Sequence, residues 1–106
     1  MKQYDVKISH AALSDMEQIY SYIADRLLEP DTAMGQYNRI AEGIQSLNIL
    51  PERCARVESE PERTQGLRQM LVDNYSVFYI VGEDTVSVAR VLYSASDLVR
   101  RLRRMK

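Results

Sequence analysis

The sequence predicts an α+β domain: an N-terminal strand, an antiparallel helical hairpin, three more strands and a short basic C-terminal helix. The order is β-α-α-β-β-β-α, with the hairpin packed on a three- to four-stranded antiparallel sheet. Three observations carry this expectation. Residues 4–8 alternate apolar and polar with period two, residues 12–47 hold two apolar stripes at helical spacing, and residues 67–93 hold three short strand-like runs split by tight turns. Helices segregated from a run of strands bury their stripes most readily on one face of an antiparallel sheet. The opposite face is then left for something else.

In the opening strand Tyr4, Val6 and Ile8 alternate with Asp5 and Lys7. Ser9 is placed to cap a helix, whose stripe is Ala12, Met16, Ile19, Ile23 and Leu27, and Pro30 is expected to end it because it cannot donate a backbone N–H. Asp31 or Thr32 can cap a second helix with the stripe Ala33, Tyr37, Ile40, Ile44 and Leu47, closed by Pro51. The short connection around Pro30 makes the pair an antiparallel hairpin. Residues 51–66 are charged, contain Pro51 and Pro61 and lack sustained periodicity, so they read as a loop with a brief extended piece at 56–58.

The strands are read at 67–72, 75–81 and 85–93, with turns at Asp73-Asn74 and at Gly82-Glu83-Asp84. The middle one, YSVFYIV, is apolar on both faces and belongs at the centre of the sheet. Asp97 is expected to cap the last helix, with Leu98, Leu102 and Met105 on one side and arginines around the rest.

At 106 residues, residues 1–106 form a single domain large enough for a core without disulfides or metal. The net charge of −1 makes no global case for nucleic-acid binding. The charge is unevenly placed: residues 1–63 carry a net −4 and residues 64–106 a net +3, much of it in Arg100, Arg101, Arg103, Arg104 and Lys106. Cys54 is the only cysteine, which excludes an internal disulfide and a cysteine metal cluster and fits a reducing compartment. No apolar run reaches the ~18 residues of a membrane span, and Met1 leads directly into a strand-like segment, so the expected location is the cytoplasm.

Most catalytic signatures are missing. There is no Gly-rich phosphate loop, HExxH, GxSxG or His/Cys cluster, and no metal or cofactor is expected. His10 reads as an exposed helix-entry residue, and Cys54 as an incidental thiol with no histidine near it in sequence. The remaining candidates are Arg68 and Arg90, each inside a strand. Such arginines either point to solvent or, with tyrosine hydroxyls, make a phosphate-binding or protein-docking surface. Tyr20 and Tyr37 read as core, as do Tyr75, Tyr79 and Tyr93 with anchored hydroxyls, although Tyr93 at the strand exit is also a candidate contact residue. The tail LVRRLRRMK is an amphipathic helix whose basic face is either solvated or set against an acidic partner.

The segments VKISHAALSDMEQIYSYIA, LNILPER, GLRQMLVDNYSVFYIV and VARVLYSASD, in this order and spacing, resemble the RelE/ParE superfamily of toxins from type II toxin–antitoxin systems. The resemblance covers nearly the whole chain. It implies a small bacterial toxin blocked by a cognate antitoxin, and a βααβββ architecture with a C-terminal helix. It also implies one of two targets. RelE-like members act at the ribosome as mRNA endonucleases, and ParE-like members poison DNA gyrase. Direct DNA binding is expected only through the antitoxin, and a homodimer or a toxin–antitoxin hetero-oligomer is possible.

The carry-over of residues favours the ParE-like branch. Arg68 can match one basic group of an RNA cutter, but Ser76 stands where an arginine would follow the strand-opening tyrosine. Ser94-Ala95-Ser96 stands where a basic group would follow the last strand. An endonuclease here would rest on Arg68, Arg90 and Tyr93. A binding toxin would use Arg68, Arg90, Tyr93, Asp97, Arg100, Arg101, Arg103 and Arg104 as its contact surface, whether for target or antitoxin. Its LYSASD run resembles the ParE-type L-H-G-x-x-D exit, with Tyr93 at the histidine position and Ser94 at the glycine. A third possibility is a homologue that keeps antitoxin binding without toxicity.

Overall fold

A computed structural model describes the chain over residues 1–103, with side chains through Leu102. The expected Met105, Arg104 and the side chain of Arg103 lie outside the described residues. β1 (Asp5–Ile8) is followed by α1 (His10–Ser21), a π-helical turn at Tyr22–Arg26, and α2 (Pro30–Gln45). Then come β2 (Arg68–Val72), β3 (Tyr75–Val81), β4 (Thr85–Tyr93) and α3 (Asp97–Arg103). The four strands lie in the order β1-β4-β3-β2.

The β2-β3-β4 meander is antiparallel, as its tight turns require. β1, however, adds to β4 in parallel, from Asp5 opposite Thr85 to Ile8 opposite Val88. The sheet is therefore mixed rather than wholly antiparallel. A parallel pair needs a long connection, and here the helical hairpin, the 51–67 segment and the β2-β3 pair lie between β1 and β4.

Ser9 caps α1 as expected, its Oγ accepting from the Ala12 N–H at 3.0 Å. Ala12, Met16, Ile40, Ile44 and Leu47 of the two stripes are buried against Met70, Val77, Tyr79, Val86, Val88 and Val91 of the sheet, and Ile23 is buried as well. Tyr20 and Tyr37 meet edge to face at 6.3 Å across the hairpin. Leu27 departs from the expected stripe and is half exposed. The π-helical turn explains this, because its wider winding, with Leu27 N–H bonding Tyr22 C=O at 3.1 Å, rotates Leu27 off the core-facing phase.

Pro30 also plays a different part from the one expected. It opens α2 at the first helical position, where the missing N–H has no partner to lose, while Leu28 at φ 57° ends the preceding turn. Neither Asp31 nor Thr32 is the cap. That position falls to Glu29. Similarly, α2 ends at Gln45 and Pro51 starts a short 3-10 turn, Pro51–Arg53.

The far face of the sheet is not bare. Val57, Phe78, Val99 and Leu102 form a second small core, flanked by Leu67 and Leu92. The 51–67 segment and α3 are thus held on that face, with Val57 N–H bonding Leu67 C=O at 2.9 Å and Ser59 N–H bonding Leu102 C=O at 3.0 Å. Within α3, Val99 rather than Leu98 turns inward. Ser96, one residue before Asp97, supplies the cap through its Oγ, 3.3 Å from the Val99 N–H. Asp97 sits in the first turn, 4.0 Å from Arg100. No described helix is long and apolar enough to cross a membrane.

Candidate functional site

The two strand arginines are both engaged inside the molecule. Arg68 opens β2 and its Nη1 donates to the Cys54 carbonyl at 2.6 Å and the Glu52 carbonyl at 3.3 Å. Its side chain is only 15% exposed. The guanidinium supplies hydrogen-bond donors to those loop carbonyls, pinning the 52–54 segment to the sheet edge.

Arg90 is placed by a β-bulge. Phe78 lies opposite Arg90 and Tyr79 opposite Val88, so Ala89 is the extra residue. Arg90 reaches Asp15 on α1 in a bidentate pair, Nε to Oδ2 at 2.7 Å and Nη2 to Oδ1 at 2.9 Å. The carboxylate also accepts the Val91 N–H at 3.0 Å. β1 pairs with β4 only as far as Val88, and beyond that point α1 supplies the missing partners: Ser9 donates its Oγ to the Ala89 carbonyl at 2.8 Å, and Asp15 takes the next N–H. Hydrogen bonding to Asp15 raises the Arg90 pKa above its ordinary value.

At the sheet exit Tyr75 and Tyr93 pair across β3 and β4, ring centroids 5.9 Å apart. Burial, and then the neighbouring Tyr93 and Tyr22, raise the Tyr75 hydroxyl pKa, so it stays protonated at neutral pH. On the other face of the same strands Ser76 is fully buried. Its Oγ lies 2.7 Å from Ser94 Oγ and accepts from Gln69 Nε2 at 2.9 Å. This is a small neutral network with all partners within the protein. No described buried side-chain polar atom lacks a partner, and among the described residues no group of three metal-ligating side chains converges.

The candidate residues thus fall into separate places. Arg90 and Tyr93 lie near the groove between α1 and the end of β4, while Arg68 is at the β2 edge under the 52–54 loop. Asp97, Arg100 and Arg101 are exposed on α3, on the opposite face. His10 is exposed at the start of α1, and Cys54 is half buried with its carbonyl under Arg68. Asp15 was not a candidate in the sequence reading. Its signal is its spacing: Ala12, Asp15, Met16 and Ile19 share the buried helix face, and an acid on that face needs a partner.

Comparison with known proteins gives the following. The sequence profile described as "ParE toxin of type II toxin-antitoxin system, parDE" matches residues 6–98. No curated protein sequence matches the chain. Among solved structures, the chromosomal ParDE toxin–antitoxin system of P. aeruginosa is similar, with a TM-score of 0.71 at 21% identity over 86% of this chain and 96% of that one. The RelBE2 toxin–antitoxin complex of Mycobacterium tuberculosis gives a TM-score of 0.61 at 17% identity, over 86% of this chain and 98% of that one. A double arginine-to-alanine variant of E. coli toxin RelE in the free state gives 0.63 at 12% identity, over 95% and 94%. At these identities the structural likenesses show the fold alone.

Proposed function

The chain belongs to the ParE toxin family of type II toxin–antitoxin systems, and from that premise we propose that it arrests growth by docking on DNA gyrase and is neutralised by a cognate antitoxin. One observation carries the choice of a docking toxin over an RNA cutter. Cleaving RNA through its 2′-OH needs a group to activate that oxygen and others to meet the developing charge. Here the sheet exit presents Ser76 and Ser94, bonded to each other and to Gln69, while Arg68 and Arg90 are tied to loop carbonyls and to Asp15. An inhibitor that binds a protein needs no such set. It needs a rigid surface, and the exposed Arg100 and Arg101 of the basic α3 supply part of one.

Induced expression without antitoxin tests the proposal. Filamentation with an SOS response, and inhibition of supercoiling by purified gyrase, are the expected results. Rapid arrest of translation with mRNA cut at the ribosomal A site would refute it and favour the RelE-like reading. Replacing Arg100, Arg101, Arg103 and Arg104 together should abolish toxicity in a chain that still folds. Arg68→Ala should leave toxicity in place, because the Arg68 guanidinium is bonded to the Cys54 and Glu52 carbonyls.

A further inference from the structure

The outer face of α1 carries a surface that the basic α3 does not explain. Three adjoining concavities cross it. The first, about 460 Å³, lies between α1 and the end of the sheet and is walled by Ile19, Tyr22, Tyr75 and Tyr93. The second, about 550 Å³, runs along α1 from Ser14 to Arg26 and shares Gln18 and Tyr22 with the first. The third, about 460 Å³, continues to Met34 and Tyr37 of α2 and shares Glu17 and Ser21 with the second. Tyr22 stands between the grooves 51% exposed, and Tyr93 closes one end 53% exposed.

The chemistry of this surface is that of a protein contact. Tyrosines on rigid elements offer large amphipathic area with few torsions to order on binding. The rim is net negative. Residues 10–34 carry five acids and one arginine. Asp15 is neutralised by Arg90, and of the other acids Glu17 and Asp25 line the grooves beside Arg26, whereas Glu29 and Asp31 at the start of α2 do not. Glu17 and Asp25 sit in the grooves, and both are exposed. A complementary occupant carries positive charge among apolar side chains: its apolar groups fill the grooves, and its arginines or lysines meet the acidic rim and the tyrosine faces. The acidic face is also the wrong sign for any acidic segment that α3 attracts, so the two faces select different partner chemistries.

We infer that the tyrosine-lined, acid-rimmed surface across α1 is a second docking site of this toxin, which takes a basic protein segment of its target. The inference rests on the toxin reading, although not on gyrase being the target. Two variants test it: Glu17→Lys with Asp25→Lys, which reverses the rim at exposed positions, and Tyr22→Ala, which removes the central ring. Each is compared with the wild-type chain for growth arrest on induction, for inhibition of purified gyrase, for binding to the cognate antitoxin, and for its circular dichroism and melting.

The expected result is at least a tenfold loss of toxicity in both variants, with melting and antitoxin binding retained. Where gyrase is inhibited, a matching rise in the half-inhibitory concentration is expected, with salt weakening the wild type more than the charge-reversed variant. Folded variants as toxic as the wild type overturn the inference. So does loss of antitoxin binding with toxicity intact, which assigns the surface to the antitoxin. Growth arrest without gyrase inhibition, lost in both variants, removes gyrase as the target and upholds the docking site. A wild-type chain that arrests nothing overturns both readings.

Discussion

Asp15→Ala should be the most informative substitution for stability. Asp15 is 8% exposed on the core-facing side of α1 and accepts from Arg90 Nε, Arg90 Nη2 and the Val91 N–H at 2.7, 2.9 and 3.0 Å. Removing the carboxylate leaves the buried Val91 N–H without an acceptor, at a cost of ~1–3 kcal/mol. The Arg90 side chain is 44% exposed, so solvent screens the lost ion pair, which adds only about 0.2–1 kcal/mol. The total is ~1–4 kcal/mol, and in a domain of this size each kcal/mol lowers the melting temperature by roughly 4–8 °C. Asp15→Asn keeps a side-chain carbonyl for Val91 but loses the charge and the acceptor for Arg90 Nη2. That loss lies on the solvent-screened side of the pair, so Asn should cost about 1 kcal/mol and less than Ala. Urea unfolding followed by circular dichroism measures both. If Ala lies within ~0.5 kcal/mol of wild type, or Asn costs as much as Ala, the account of α1 as the substitute partner of β4 is wrong.

Ser9→Ala removes both the α1 cap and the bond to the Ala89 carbonyl and should cost ~1 kcal/mol or somewhat more by the same urea measurement. Leu28→Gly should stabilise by about 0.5–1 kcal/mol, because Leu28 is exposed at φ 57°, where a Cβ is disfavoured; a lower urea midpoint than wild type would contradict this. Bonds from Arg39 and then Gln36 hold the Asp73 pKa below its ordinary value. Its contribution to stability is therefore complete above the unfolded value of ~3.9 and is lost as pH falls through the lower folded one. Asp73→Asn should flatten the stability profile on the acid side of that value, and an unchanged profile would rule Asp73 out as its source.

The strands of the meander were legible because their physics is local. Turn residues and β-rich runs place Tyr75–Val81 and Thr85–Tyr93 where the structure has them, and β2 starts only one residue later than its apolar run. The helix stripes were equally legible up to Ile23. Beyond it, a π-helical turn that no residue type announces shifted the phase and exposed Leu27. Pro30 was ambiguous for a reason of chemistry, since a proline both ends one helix and suits the first position of the next.

The candidate site was less legible. Arg68 and Arg90 stand out as charges within strands, but their partners are Glu52 and Cys54, 14 to 16 residues from Arg68, and Asp15, 75 residues from Arg90. The tyrosines, too, were visible singly and not as a surface.

The sequence by itself determined the periodicities, the Ser9 cap, the fold class and the family, because these depend on neighbours a few residues apart or on motifs in order. Only the tertiary structure decided that β1 runs parallel to β4, that α3 closes the far face through Val99, and that Asp15 meets Arg90. It alone brought Tyr22 of the hairpin beside Tyr93 of the last strand on an acidic rim. Each of these is a contact across many residues of chain, set by how whole elements pack and by which backbone groups the sheet leaves without a partner.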